Sequence, residues 1–268
     1  MRNKSLWIII LMVICISIPL FNDAKNAEAT TPIVLKHASY WPADEPCQMV
    51  CEWWMSEIEK RTNGRVKWQR HLAESLVKAV DLLDGISAGI CDAGPTSVGY
   101  TPSKLPLCSG FELPYLIPSS SIWVQAKATS DLYQTFPAFQ KELSNYKLKF
   151  IGTIAVPNGV FVTRTGKQIK SLDDFKGLKL RAYGPVGKTI RRLGGVGVSM
   201  PAPEMYTATQ RGTVDGAFFT FASIPPFKMH EVTKYITLNT GLEIYCYIQN
   251  VMNDLHGTLS KVLSMREL

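Results

Sequence analysis

Histidine is scarce in this sequence, and its few copies do not form a metal-binding pattern. The chain has four histidines among 268 residues. None of them has a cysteine or carboxylate partner at the spacing typical of a zinc site. The sequence therefore predicts no metal ion and no other cofactor. His37 is the histidine that we expect near a binding site, because it ends the first predicted strand, where it can face a cleft.

Cysteines are also few, and they do not indicate a disulfide framework. An odd number of them follows the N-terminal region: Cys47, Cys51, Cys91, Cys108 and Cys246. In an oxidising compartment an odd count leaves at least one thiol outside any internal disulfide. Cys47 and Cys51 lie one helical turn apart, which is compatible with a strained bridge or with half of a metal site. No matching His or Cys pair follows, so packed or free thiols are the interpretation that we favour.

Only one long apolar run is present, and it lies at the N-terminus. It covers residues 6–21, follows the basic residues Arg2 and Lys4, and precedes the small-residue segment 27–29. The run is shorter than the ~20 residues that a membrane-spanning helix needs. This arrangement predicts a signal peptide over residues 1–29 and a periplasmic location for the rest of the chain. A retained N-terminal membrane anchor is the alternative.

Clustered charge is absent as well. The formal net charge is +7, but the basic residues are spread along the chain. A nucleic-acid-binding surface typically shows a basic stripe or a basic helix. We therefore expect a small organic anion as the partner, and no nucleic acid.

The sequence also lacks a nucleophile site. The segment Gly85-Ile-Ser87-Ala-Gly89 matches the pattern G-x-S-x-G, but a hydrolase elbow needs a strand before the serine and a helix after it. Here the helix comes first. Because no nucleophile–base pair can be assembled, we do not expect an enzyme, and a periplasmic hydrolase is the least favoured alternative.

What the sequence does contain is an alternation of strand-like and helix-like segments, which is typical of an α/β fold. Asn63-Gly64 ends the first helix, because both residues tolerate the left-handed conformation of a helix C-cap. The pattern predicts helices at 46–61, 76–88, 188–193 and 204–211, and strands at 33–37, 65–69, 179–183, 196–200 and 213–219. A further strand is predicted to begin at residues 90–93.

Two segments resemble each other at an offset of 123 residues. Asp81 to Ala93 and Glu204 to Gly216 each place an acid near a helix start, a glycine stop at Gly89 or Gly212, and then an aspartate. The likeness is compatible with a generic helix–glycine–strand pattern. It is equally compatible with two similar lobes, which would place a ligand between them at the carboxyl ends of the strands.

Arg181 is the strongest candidate for a binding residue. It lies at the C-terminal end of a predicted strand, before the turn 184–187 and the helix start that follows. Backbone amides at a helix start attract anions. An arginine can hold a carboxylate through two parallel hydrogen bonds. An ordinary surface ion pair is the alternative.

Aromatic residues supply candidate apolar walls. Along a strand, alternation sends Phe219 and Phe221 to one face and Phe218 to the other. One face can pack in the core while the other presents apolar surface to a ligand. Trp41, which follows the first strand, is a candidate for the same role from the other lobe.

Several further segments complete a family pattern. The most specific is Ser171-Leu-Asp-Asp-Phe-Lys-Gly-Leu-Lys-Leu-Arg181, followed by Glu204-Met-Tyr-Thr-Ala and Gln210-Arg-Gly-Thr-Val-Asp-Gly216. With these segments, residues 31–255 resemble the substrate-binding subunit of TRAP transporters, the DctP-type family.

The resemblance implies a two-lobed periplasmic binding protein with a central ligand cleft. Such a protein closes on an organic acid and delivers it to a TRAP membrane permease driven by an ion gradient. In the family, the arginine at the position of Arg181 pairs with the ligand carboxylate. An exported binding protein of a primary transporter or a sensor is the alternative.

The chain departs from the family pattern in its cleft. A second arginine of acid-binding members corresponds to Phe161, and the family's asparagine and metal-binding glutamate correspond to Phe219 and Phe218. These departures disfavour sugar acids and metal-bridged oxo acids. We therefore expect a monocarboxylate with an apolar or aromatic body, held by Arg181 and walled by Phe161, Phe219 and Trp41.

The resemblance also suggests a division of the chain. We expect lobe I to comprise residues 30–155 with a return segment at 246–268, and lobe II to comprise residues 156–245. Family members continue beyond residue 268 with helices that brace both lobes. Without C-terminal helices of this kind, we expect the chain to be either a truncated product or a protein with an incomplete second lobe, with an effect on stability and closure.

Overall fold

The computed structural model describes residues 31–113, 121–156, 159–238 and 247–253. The predicted signal peptide and Cys246 lie outside these ranges. Within them, no helix has the length and apolar character needed to cross a membrane.

The described residues form an alternating α/β chain, as predicted. The helices are α1 Pro46–Arg61, α2 Leu82–Ser87, α3 Ile122–Thr135, α4 Pro137–Ser144, α5 Gly184–Arg192, α6 Met205–Gln210 and α7 Met229–Val232. The strands are β1 Ile33–Ala38, β2 Val66–His71, β3 Ala93–Ser97, β4 Leu148–Ala155, β5 Gly159–Thr163, β6 Lys179–Arg181, β7 Val196–Val198, β8 Gly216–Thr220, β9 Tyr235–Thr237 and β10 Tyr247–Asn253.

The strands build two five-stranded sheets, and each sheet with the helices packed on it forms one lobe. The first sheet has the order β2-β1-β3-β10-β4 and the second has the order β7-β6-β8-β5-β9. In both sheets the first three strands are parallel and the other two pair antiparallel. The predicted α/β fold with two lobes is confirmed. The residue bounds that we expected for the two lobes stay a prediction.

The two sheets contain a structural repeat with the predicted offset. Gly89 and Gly212 both adopt a left-handed conformation, with φ of 76° and 73°. The same offset places α2 on α6, β3 on β8 and the turn Val98–Tyr100 on the turn Phe221–Ser223. The likeness between the two segments is therefore a repeat of structure, and not only a generic helix–glycine–strand pattern.

Local capping explains why α1 has the predicted bounds. The Glu45 side chain accepts hydrogen bonds from the first backbone amides, Pro46 occupies the first turn, and Thr62 caps the C-terminus. Asn63 and Gly64 follow with φ of 49° and 75°. Proline suits the first helical turn because its missing N–H would have no partner there.

Two helices differ from the prediction. Residues 76–81 lie outside α2, because Lys78 is extended and a 3-10 turn over Ala79–Asp81 precedes the helix. In the second lobe, the predicted turn 184–187 forms the first turn of α5, in which Pro185 sets a helical φ. The helix packs closely on β7, since a Cβ at Gly197 would lie 2.6 Å from the Gly187 carbonyl oxygen.

Side-chain alternation divides the second sheet into two apolar faces. Phe161 and Phe218, opposite each other on β5 and β8, pack with Leu180 on the face covered by α5. Phe219 and Ala217 pack on the other face with Met205 of α6. A side chain's position along its strand thus decides whether it joins the α5 face or the opposite face.

Four cysteines are buried thiols in the described part of the chain. Burial raises the pKa of Cys51 and of Cys91 to about 12, so both are protonated near neutral pH. For Cys47 and Cys51, the interpretation as packed thiols is confirmed.

His37 generates a prediction about pH and stability. Its side chain is 1 % exposed, its ring nitrogens have no hydrogen-bond partner among the described residues, and burial lowers its pKa to about 4. The native state therefore holds a neutral ring, whereas the unfolded chain binds a proton below its pKa of 6.5. The stability that depends on this neutral ring is complete above pH 6.5 and is lost as the pH falls towards 4.

We expect His37→Leu to reduce the loss of unfolding free energy between pH 7 and pH 4.5 by about 2 to 3 kcal/mol. Urea denaturation at the two pH values measures this difference. His230 is exposed, and His230→Gln is the control that retains the full loss. An unchanged pH dependence in His37→Leu would show that the native ring is protonated.

Candidate functional site

A small cavity lies between the two lobes, and we call it the cleft cavity. Its volume is about 40 Å³, and it is lined by residues of both lobes, among them Trp41, Glu45, Tyr100, Arg181 and Phe219. A buried water needs at least ~10–15 Å³ of such space. The cleft cavity therefore has room for a few waters between the present side-chain positions.

Arg181 is a buried cation at the wall of this cavity. It ends β6 and is 1 % exposed. Its Nε donates to the Met200 carbonyl at 2.9 Å and its Nη1 donates to the Phe218 carbonyl at 3.0 Å. The guanidinium also lies over the Tyr183 ring, 4.8 Å from the ring centre. Two carbonyls and one aromatic face therefore fix its orientation.

No carboxylate of the described residues lies within 4.0 Å of the Arg181 guanidinium. An unpaired charge away from water is costly, because neutral carbonyls and one ring replace only part of its hydration. A guanidinium has five N–H donors, and the hydrogen bonds of Arg181 to the described residues use three of them. The geometry therefore leaves donors for an anion in the cleft cavity.

Tyr100 connects Arg181 to the first lobe. Its hydroxyl oxygen accepts from Arg181 Nη2 at 3.2 Å and from the Ala202 backbone N–H at 3.0 Å. The Tyr100 ring also packs edge-on against Tyr183, with ring centres 5.1 Å apart. One hydroxyl thus joins the lobes beside the guanidinium.

Glu45 connects the lobes at a second point of the cleft cavity. It is 2 % exposed, and its Oε1 accepts from Ser223 Oγ of the second lobe at 2.6 Å. Ser223 and Tyr100 occupy equivalent positions in the repeat, since each ends the turn that follows β8 or β3. At this repeated position, Tyr100 of the first lobe contacts the second lobe, and Ser223 of the second lobe contacts the first.

Aromatic rings make up much of the cavity wall. The rings come from both lobes and belong to Tyr40, Trp41, Tyr100, Tyr183, Phe219 and Phe227. Trp41 and Phe219 lie at the cavity, as their positions in the sequence predict. That they contact a ligand stays a prediction, as does the role of Arg181.

The structure corrects the expectation for Phe161. Its side chain is fully buried and packs on Phe175 and Phe218, with ring centres 5.1 and 5.0 Å away. It points to the α5 face of the sheet, whereas Phe219 and Arg181 point to the opposite side. Phe161 is a core residue because strand alternation places it opposite Phe218.

The structure also corrects the expectation for His37. Its ring packs against Trp68, with ring centres 6.4 Å apart, inside the first lobe. His37 pairs with Ala93 as Leu180 pairs with Gly216, so His37 and Leu180 hold equivalent positions. Leu180 is a core residue, and His37 faces the core for the same geometric reason.

A second, larger cavity of about 480 Å³ lies beside the cleft cavity and shares the Tyr100 and Tyr183 rings with it. Its wall includes the start of α5 and the basic residues Lys188 and Arg191. Cations around a cleft raise the local concentration of anions. This second cavity therefore offers an electropositive approach to Arg181.

Sequence reasoning missed Tyr100, Glu45 and Ser223. Tyr100 and Ser223 lie just beyond the repeated segments, and extending the 123-residue offset by seven positions beyond Gly216 would have paired them. Glu45 precedes a proline at a helix start, a position that indicates a cap and gives no sign of a cleft.

The described residues hold no group of three or more His, Cys, Asp or Glu side chains that could bind a metal ion. The positions of Phe218 and Phe219 offer no metal ligand. The chemistry of the site is therefore that of one buried guanidinium, one buried carboxylate and aromatic walls.

Two lobes around a cleft with a buried arginine are features of a solute-binding protein. Residues 37–256 match the family model of the bacterial extracellular solute-binding proteins, family 7 (DctP). The chain belongs to this family, and the resemblance seen in the sequence is confirmed.

Curated relatives include a monocarboxylate 2-oxoacid-binding periplasmic protein of Nostoc sp., 31% identical over 203 residues that cover 73% of this chain and 53% of the relative. The C4-dicarboxylate-binding periplasmic protein DctP of Rhodobacter capsulatus is 28% identical over 224 residues, which cover 82% of this chain and 65% of that protein. The chain spans about half the length of the first curated relatives that it matches.

Solved structures give the same picture. A TRAP solute-binding protein of Rhodoferax ferrireducens with copurified benzoate matches with a TM-score of 0.76 and 27% identity, covering 86% of this chain and 73% of the other. A marine metagenome TRAP protein specific for aromatic acids, in complex with 3-hydroxybenzoate, matches with a TM-score of 0.77 and 27% identity, covering 87% and 73%.

The Tyr100 contacts lead to a prediction about stability. Tyr100→Phe removes the hydroxyl that accepts from the buried Arg181 and the half-buried Ala202, so two donors lose their partner. We expect the free energy of unfolding in urea to fall by about 1 to 3 kcal/mol.

Tyr146→Phe is the matched control, because Tyr146 is a partly buried ring of the first lobe. We expect that substitution to change the unfolding free energy by about 0.5 kcal/mol at most. Equal losses in the two variants would contradict the bridging role of the Tyr100 hydroxyl.

Proposed function

We propose that this protein captures a small monocarboxylate with an apolar or aromatic body in the periplasm and delivers it to a TRAP-type membrane permease. The proposed role is reversible binding without turnover. The observation that carries the proposal is Arg181, a buried cation at an interlobe cavity with no carboxylate partner among the described residues.

A ligand carboxylate supplies the charge that this site lacks. A carboxylate accepts two parallel hydrogen bonds from a guanidinium, and such charge-assisted bonds are about twice as strong as neutral ones. The Met200 and Phe218 carbonyls hold the guanidinium in place before the ligand arrives. Little side-chain entropy is then lost on binding.

The aromatic walls favour an apolar or aromatic ligand body. Rings from both lobes surround the cavity, and burial of apolar ligand surface contributes about 25 cal/mol per Å². Phe219 offers neither a hydrogen bond nor a metal ligand at its position. Related TRAP proteins with benzoate or 3-hydroxybenzoate bound support the same ligand class for this chain.

Binding requires the lobes to move. A cavity of about 40 Å³ is too small for an acid of the size of benzoate, and the Tyr100 hydroxyl occupies one side of Arg181. We infer that the lobes part, that the ligand carboxylate replaces the Tyr100 hydroxyl on Arg181, and that the rings then close around the ligand body.

Calorimetric titration of benzoate into the wild type and into two Arg181 variants tests the proposal. Arg181→Met removes the charge but keeps much of the side-chain volume, and we expect affinity to fall about 100-fold or more. Arg181→Lys keeps the charge but loses the planar fork, so we expect a loss of about 10-fold.

Arg164→Met is the matched control, because Arg164 belongs to the same lobe but pairs with Asp215 at 3.9 Å on a partly exposed surface. Its affinity for benzoate should stay within about threefold of the wild type. Undiminished binding by Arg181→Met, or conversion of the bound acid to a product, would contradict the proposal.

A further inference from the structure

Glu45 places a second buried charge in the cleft cavity. It is 2 % exposed and lines the same cavity as Arg181. No lysine or arginine of the described residues lies within 4.0 Å of its carboxylate. The cavity thus carries one cation and one anion, neither of which has an ion-pair partner among the described residues. Binding of a ligand carboxylate would account for the cation and leaves the anion unexplained.

The hydrogen bonds of Glu45 leave one acceptor site open. Oε2 accepts from the backbone N–H of Cys47 at 2.5 Å and of Gln48 at 3.3 Å, and Oε1 accepts from Ser223 Oγ at 2.6 Å. A carboxylate has about four lone-pair sites. Among the described residues three are used, so Oε1 can accept one further hydrogen bond.

The direction of these hydrogen bonds is fixed by proton count. Ser223 has one hydroxyl proton and donates it to Glu45. The contact of 2.6 Å between Ser223 Oγ and Thr220 Oγ1 must therefore be donated by Thr220. The chain from Thr220 through Ser223 ends on Glu45, which is an acceptor in each of its contacts.

The carboxylate of Glu45 lies at a helix N-terminus. It precedes α1, a helix of 16 residues whose N-terminus carries partial positive charge. An ionised carboxylate repels a second carboxylate in a site of low dielectric. It accepts a hydrogen bond from a hydroxyl group at the same place.

We propose that Glu45 is a specificity-determining residue that selects monocarboxylates bearing a hydroxyl group on the end remote from the carboxylate and rejects dicarboxylates. The inference rests on the proposed function, because it assumes that Arg181 holds the ligand carboxylate. Both residues line one small cavity, and the proposal requires that the far end of an acid held by Arg181 lie beside Glu45 once the lobes have closed around it.

The test compares affinities for benzoate, the three monohydroxybenzoates and the three benzenedicarboxylates by calorimetry. In the wild type, we expect at least one hydroxybenzoate to bind about 10-fold more tightly than benzoate, and the dicarboxylates to bind about 100-fold more weakly than benzoate.

Glu45→Gln keeps an oxygen for the Cys47 and Gln48 amides and turns its amide NH₂ towards the cavity. We expect it to reduce the dicarboxylate penalty about 10-fold or more and to weaken the preference for the hydroxyl group.

Glu142→Gln is the matched control. Glu142 is also buried, and its carboxylate accepts from two backbone amides, Leu107 at 2.8 Å and Cys108 at 2.9 Å, away from the cleft cavity. The affinity ratios of the Glu142→Gln variant should equal those of the wild type.

Ser223→Ala is a second test that leaves the α1 cap intact. It opens another acceptor site on Oε1, so we expect the hydroxyl preference to rise about threefold.

The outcomes separate the two proposals. If benzoate binds in an Arg181-dependent way while the affinity ratios are the same in wild type, Glu45→Gln and Ser223→Ala, the role of Glu45 is overturned and the proposed function stands. If none of the acids binds to the wild type, both are overturned. Ratios that change in the two variants and not in Glu142→Gln support the role of Glu45.

Discussion

The guanidinium of Arg181, buried between two lobes without an acidic partner, is the constraint around which the cleft is organised. The strand end of β6 brings it to the lobe boundary, the carbonyls of Met200 and Phe218 orient it, and the Tyr183 ring supports one face. Each of these partners is neutral, so none of them removes the need for an anion. The hydroxyl of Tyr100 fills one donor direction from the other lobe. The guanidinium is therefore both a buried cation and part of a contact between the lobes.

The structural repeat explains why the cleft is symmetric in its contacts and asymmetric in its charge. Tyr100 and Ser223 occupy equivalent positions, and each forms a hydrogen bond to the opposite lobe. By the same equivalence, Arg181 corresponds to Ala38 of the first lobe. The buried cation therefore comes from one lobe only, while the first lobe contributes Glu45, a group of opposite charge. We propose that this difference in charge lets the cleft distinguish the two ends of a ligand.

The sequence predicted those features that depend on local chemistry. Helix α1 has the predicted bounds because a proline at its start and Asn63-Gly64 at its end act over a few residues. The 123-residue offset indicated the repeat because glycine stops occur at fixed positions within it. The family motif around Arg181 located the end of the strand on which this residue lies. Among the described residues, no other arginine lines the cleft cavity.

The features that the sequence did not predict depend on which face of an element meets the cleft. Phe161 and Phe219 are both aromatic strand residues, and only the pairing of β5 with β8 shows that Phe161 faces the core. His37 was assigned to the cleft from its place at a strand end, whereas its register in the first sheet turns it inward. Glu45 resembled an ordinary helix cap, because its contact to Ser223 joins residues 178 positions apart. Contacts of that separation leave no local signal.

We propose that Arg181 holds the ligand carboxylate after exchanging its contact with Tyr100, and a crystal structure of the protein with benzoate bound would test this exchange. We expect both carboxylate oxygens within about 3 Å of the Arg181 guanidinium, the aromatic ring of the ligand between Trp41 and Phe219, and the Tyr100 hydroxyl displaced from Nη2. A benzoate bound elsewhere, with Arg181 still donating to Tyr100 and no anion beside it, would contradict the account.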